Sequence, residues 1–217
     1  NRCASSMTPP WTMLAALEQR AYFSHGTAMY LNGLTEQIPK NLYLKHETQN
    51  PPKRDTNITQ EAIDRAFSRE PRRSHSIAEL PPFRITLLSG AKTNDLGVTT
   101  VLVEGVEIRV TDLYRTLIDI VMRPFYAGGI HEVLKAYRAA AMLGFSVNTL
   151  QSYLRRLNPA YPYHQAIGFY MERSEAYSAT QLAVLKKFPQ SFDFYLTYAA
   201  PQTAYAPHWR LFYPQGF

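Results

Sequence analysis

A chain of 217 residues, 46% hydrophobic and 18% charged, buries roughly 70% of its extended surface on folding and closes a core without metal or cross-links. Its single cysteine, Cys3, excludes an intrachain disulfide, no apolar run approaches the roughly 18 residues of a spanning helix, and no signal peptide stands out. The formal charge of +6 favours an acidic partner such as nucleic acid, and the lone thiol fits a reducing, cytoplasmic setting.

Thr8 followed by Pro9 and Pro10 predicts a helix over residues 11–20, with a hydroxyl cap and prolines in the first turn. A second helix is expected from Ser24 or His25 to Leu31, with Ser24 as its cap and Asn32-Gly33 as its stop. Residues 41–45 alternate polar and apolar, as a half-buried strand does. Residues 46–82 then change character, gathering prolines together with Lys53, Arg54, Arg65, Arg69, Arg72 and Arg73. This is the signature of an exposed segment, either a basic flap that touches phosphate or a solvated connector. It holds one short helix over residues 59–67, capped by Thr59.

Strands follow over residues 83–88, 97–104 and 106–110, the last two joined by a tight turn at Glu104-Gly105. At Asp112 the apolar period becomes helical, and Leu113, Thr116, Leu117, Ile120 and Val121 share a face until Arg123-Pro124 ends the helix. Gly128-Gly129 turns the chain into a helix over residues 130–143, and Gly144-Phe145-Ser146 separates that helix from one over residues 147–157. Further helices are expected over residues 164–172 and 179–188, and strand-like alternation returns over 192–198 and 209–213. The fold class is therefore α+β, a mixed and largely antiparallel sheet packed with a helical C-terminal half.

Catalytic chemistry finds little support. His25, His46, His75, His131, His164 and His208 stand singly, without the paired spacing of a zinc site, and no Gly-x-Ser-x-Gly turn presents a nucleophile. One enzyme alternative is a metal-dependent nuclease of PD-(D/E)xK type, active or degenerate, in which Asp95, on the loop before a hairpin, and Glu107, on its second strand, hold magnesium. In that alternative Arg109 stands where a lysine belongs, and a guanidinium stays protonated. Binding is the better expectation, with no cofactor and no metal. The residues around Gly144 read either as a helix-turn-helix offering Asn148, Thr149, Gln151, Ser152, Arg155 and Arg156, or as a plain antiparallel helix pair. Candidate nucleic-acid contacts are Lys53, Arg54, Arg72, Arg73, Arg155 and Arg156. A protein-binding adaptor that uses exposed aromatics such as Trp209 is a third alternative.

Three ordered motifs carry a resemblance. Residues 22–39 read YFSHGTAMYLNGLTEQIP, residues 110–119 read VTDLYRTLID, and residues 123–130 read RPFYAGGI. Together they resemble the antitoxin domain of AbiEi-type transcriptional regulators of type IV toxin–antitoxin systems, over roughly residues 20–175. The motif positions are Ser24, His25, Asp112, Arg115, Thr116, Asp119, Gly128 and Gly129. The resemblance implies a non-enzymatic module that supports autorepression and antagonises a nucleotidyltransferase-like toxin without a stable complex. Operator DNA would be held mainly by a winged helix upstream, of which residues 1–20 would be the last remnant, with residues 21–217 as the antitoxin domain. No membrane partner is expected.

Overall fold

The computed structural model describes Trp11, residues 20–49 and residues 58–217. The expected helix over residues 11–20, apart from its two ends, lies outside the described residues, as do Lys53 and Arg54.

A six-stranded sheet is built from β1 (Tyr22–Phe23), β2 (Asn41–Glu47), β3 (Ile77–Leu80), β4 (Phe83–Gly90), β5 (Val98–Val103) and β6 (Val106–Thr111), in the order β3-β4-β2-β1-β6-β5. The pairs β3/β4, β1/β2 and β5/β6 are antiparallel, while β2/β4 and β1/β6 are parallel. The alternation read in β2 decides its two faces. Leu42 and Leu44 bury against Phe23, Ile85, Ile108 and Val110, whereas Lys45 reaches Asp119 on the other side. β1 is too short for any periodic signal, and β3 falls inside the segment expected to be a connector. Its three exposed residues, Ile77, Ala78 and Glu79, explain why no strand pattern was legible there.

Seven helices occur among the described residues: α1 (His25–Leu31), α2 (Gln60–Phe67), α3 (Leu113–Met122), α4 (Ile130–Met142), α5 (Val147–Leu157), α6 (Tyr163–Ser174) and α7 (Ala179–Leu185). The central α3 starts where Asp112 Oδ1 accepts from the Arg115 backbone N–H at 2.8 Å, an N-cap worth about 1 kcal/mol. Residues Arg115 through Val121 are all buried, so this helix is enclosed by the sheet and by its helical neighbours. α4 packs on α3 and α6, and α5 on α3 and α7. Ser24 departs from expectation: it occupies the N-cap of α1, but its hydroxyl faces His25 Nδ1 at 2.9 Å and caps nothing.

The tail forms a second sheet, β7 (Phe194–Tyr195), β8 (Thr203–Ala206) and β9 (Leu211–Pro214), in the order β7-β9-β8. Both expected tail strands are shorter than their alternation suggested, and the helix expected to Phe188 ends at Leu185. Trp209 is fully buried in a single 3-10 turn, which corrects its reading as an exposed docking residue. Its indole lies on Gly168 of α6, where an added Cβ would collide with the ring, and its Nε1 donates to Glu172 at 2.9 Å. A large ring with one polar edge is thus spent on the core. Gln60 of α2 exchanges two hydrogen bonds with the Asp193 backbone, and the Ala199 N–H donates to the Phe67 carbonyl at 2.8 Å. The tail is therefore fastened to α2.

Candidate nucleic-acid interface

Charge is distributed in two opposite ways around α3. On the sheet side, Arg115 and Asp119 anchor a buried network. Arg115 Nε lies 3.0 Å from Asp119 Oδ1, and its Nη1 donates to the Leu96 carbonyl at 2.7 Å and to Thr93 Oγ1 at 3.2 Å. Lys45 Nζ approaches the other Asp119 oxygen at 3.4 Å. Side-chain exposure is only 2% for Arg115 and 5% for Asp119, so both ions depend on each other for the solvation they have lost. Tyr22 and Thr93 donate to Glu47 at the edge of the same network. Thr116 hydrogen-bonds Thr111, and Tyr153 donates to the second oxygen of Asp112 at 2.5 Å.

The electrostatics follow from burial and pairing together. Burial pushes the Asp119 carboxyl up, yet Arg115 and Lys45 outweigh it and hold the group well below the usual carboxylate range. Burial pushes the Lys45 ammonium down to about 8, with Asp119 opposing. His25 is pushed down by burial to about 3 and stays a neutral hydrogen-bonding ring. Every charge here is engaged, and the network's chemistry is to lock α3 onto β2. Gly128 and Gly129, with φ of 85° and 98°, only turn the chain into α4.

At the C-terminal end of α3 the pattern inverts. Arg65, near the end of α2, and Arg69, Arg72 and Arg123 line a cleft of about 480 Å³ whose remaining walls include Phe125, Tyr161 and Tyr198. Arg73 lies over the Phe125 ring at 5.4 Å. Tyr198 stacks on Phe67 with centroids 4.4 Å apart, and Phe67 meets Tyr161 edge-on at 5.4 Å, so the rings form a continuous shelf. Among the described residues none of these five guanidinium groups makes an ion pair or a side-chain hydrogen bond, and Glu70 is the one acid lining the cleft. By contrast Arg84, Arg109, Arg115 and Arg210 are all paired.

A second cleft, of about 530 Å³, adjoins the first through Tyr161 and is lined by Arg155, His164, Phe188 and Phe192. Arg155 sits 5.1 Å over Phe188, which stacks on His164 at 4.9 Å. Burial lowers the His164 imidazole to about 4, against the opposing pull of its bond to the Pro189 carbonyl.

Of the residues expected to contact nucleic acid, the structure brings Arg72, Arg73 and Arg155 to this pair of clefts and leaves Arg156 exposed outside both. Asn148, Ser152, Arg155 and Arg156 of the expected helix-turn-helix are exposed. Gln151 donates to the Val184 carbonyl at 2.8 Å and so ties α5 to α7. Asp95 is ion-paired with Arg109 at 2.6 Å, and among the described residues no group of three His, Cys, Asp or Glu side chains is placed to hold a metal. Arg123, Phe125, Tyr161 and Tyr198 were not legible as site residues. They reach the cleft from the end of α3, the approach to α6 and the tail, and no local pattern links those segments.

No protein-family model matches the sequence, and no curated protein matches it. Among solved structures, the RV2827C protein from Mycobacterium tuberculosis superposes with a TM-score of 0.60 at 10% sequence identity, over 94% of this chain and 66% of that one. The likeness is one of fold, and the chain spans just under two thirds of that protein's length. No helix among the described residues is long and apolar enough to cross a membrane.

Proposed function

We propose that this chain is a non-enzymatic regulatory domain of antitoxin type that works by binding, with the arginine-lined cleft as its nucleic-acid surface. The observation that carries the reading is the set of five guanidinium groups, without an ion pair or side-chain hydrogen bond among the described residues, around an aromatic shelf. Exposed like charges repel one another and contribute nothing to the core, so their gathering is accounted for by an anionic partner. Guanidinium groups suit phosphate, because their planar forks match its oxygens. The motif resemblance adds the regulatory context: operator contact through a winged helix upstream, and opposition to a nucleotidyltransferase-like toxin.

Fluorescence anisotropy with labelled oligonucleotides over about 50 to 200 mM salt tests the binding half, because each phosphate contact steepens the salt slope by about 0.7 to 0.9. A flat salt response, or no binding at the lowest salt, removes it. Coexpression with the neighbouring gene tests the antitoxin half: relief of that gene's toxicity is expected, and absence of relief withdraws the assignment.

A further inference from the structure

We infer that the two clefts form one track for a single-stranded polynucleotide, in which bases lie against Tyr161 and Tyr198 while Arg72, Arg123 and Arg155 meet the phosphates. The inference rests on the nucleic-acid reading of this face and adds to it the strandedness of the ligand.

Three observations favour a single strand. The cleft walls carry rings as well as cations, and a ring face gains from an unstacked base. In a duplex the base faces are already covered by their neighbours, so a duplex reaches the arginines but leaves the rings unused. Tyr161 lines both hollows, so a chain leaving one enters the other past the same ring, and each hollow lies within the roughly 300 to 1,000 Å³ of pockets that enclose a small ligand. Finally, cations line both hollows, Arg65, Arg69, Arg72 and Arg123 in one and Arg155 in the other. That is the arrangement that follows a flexible backbone.

The test compares one sequence of about 10 nucleotides as single-stranded RNA, as single-stranded DNA and as a DNA duplex, each labelled and titrated with the whole chain. Tighter binding of either single strand than of the duplex is expected. Tyr161→Leu, which keeps an apolar group against Phe67 and Phe194, should weaken single-strand binding about tenfold and leave duplex binding unchanged. Thermal melting by circular dichroism checks that this variant folds. Arg155→Ala lies on the surface and provides a second arm, expected to weaken the single strand and lower its salt slope by about 0.7. If the duplex binds as tightly as the single strands, or if folded Tyr161→Leu binds like the unaltered protein, the track is wrong while the nucleic-acid reading stands. If no polynucleotide binds at low salt, both fall.

Discussion

The two ends of α3 handle the same chemistry in opposite ways. Toward β2, Arg115 is enclosed, hydrogen-bonded through two of its nitrogens and paired with Asp119. At the C-terminal end, Arg123 is exposed beside other guanidinium groups and pairs with none of them. On the nucleic-acid reading proposed above, the difference separates arginine as a structural bolt from arginine as a ligand contact. Mutational sensitivity should divide along the same line, stability on one side and binding on the other.

The largest effect is expected at Asp119. Asp119→Ala strands Arg115 and Lys45 without a counter-ion, and removing one partner of a buried pair costs about 3–5 kcal/mol, read from urea denaturation. A loss below about 1 kcal/mol, typical of a surface pair, would erase the distinction between the two regions. Next comes the combined variant Arg65→Ala, Arg72→Ala and Arg123→Ala. It should lower the single-strand salt slope by about 2 and leave stability within about 0.5 kcal/mol, because no ion pair or side-chain hydrogen bond among the described residues is lost. A marked drop in its melting temperature would instead place these side chains in the folding machinery.

A subtler effect is expected from pH. The folded-state pKa of His25 is about 3, below its ordinary 6.5, so the unfolded chain takes up the proton first as acid is added. Stability from this group is complete above about 6.5 and drains away as pH falls toward about 3, with a slope approaching 1.4 kcal/mol per pH unit. Asp119, also depressed, acts in the same sense at lower pH. His25→Gln should flatten the stability profile between about 6 and 4, whereas cleft variants should keep its shape. The smallest effect is expected at Arg156, which lies outside both clefts. Arg156→Ala should change single-strand affinity by less than about twofold, against a clear loss for its neighbour Arg155→Ala.

Legibility in the sequence followed the range of the interactions. The β5–β6 hairpin, the Thr59 and Asp112 caps and the buried face of α3 depend on neighbours a few residues away, and local pattern revealed them. The Arg115–Asp119 pair has helical spacing and sat within a recognised motif, but its burial did not, because Lys45 joins it from 74 residues away. Trp209 shows the same limit from the other side. An aromatic in a proline-rich tail looks available until Gly168 provides the gap in α6 that receives it. Half of the arginine cleft was legible as a basic segment, while the rings that turn charge into a shaped site arrive from elsewhere in the chain.

The attachment of the tail to α2 through Gln60 and Phe67 has a temporal side. Tyr198 follows β7, so a chain emerging from the ribosome carries its cationic groups long before it carries the last ring of the shelf. On the proposed nucleic-acid reading, the aromatic shelf is complete only once Tyr198 has been made. Tyr198→Leu in the whole chain should accordingly retain salt-sensitive attraction in anisotropy and lose part of the preference for single strands.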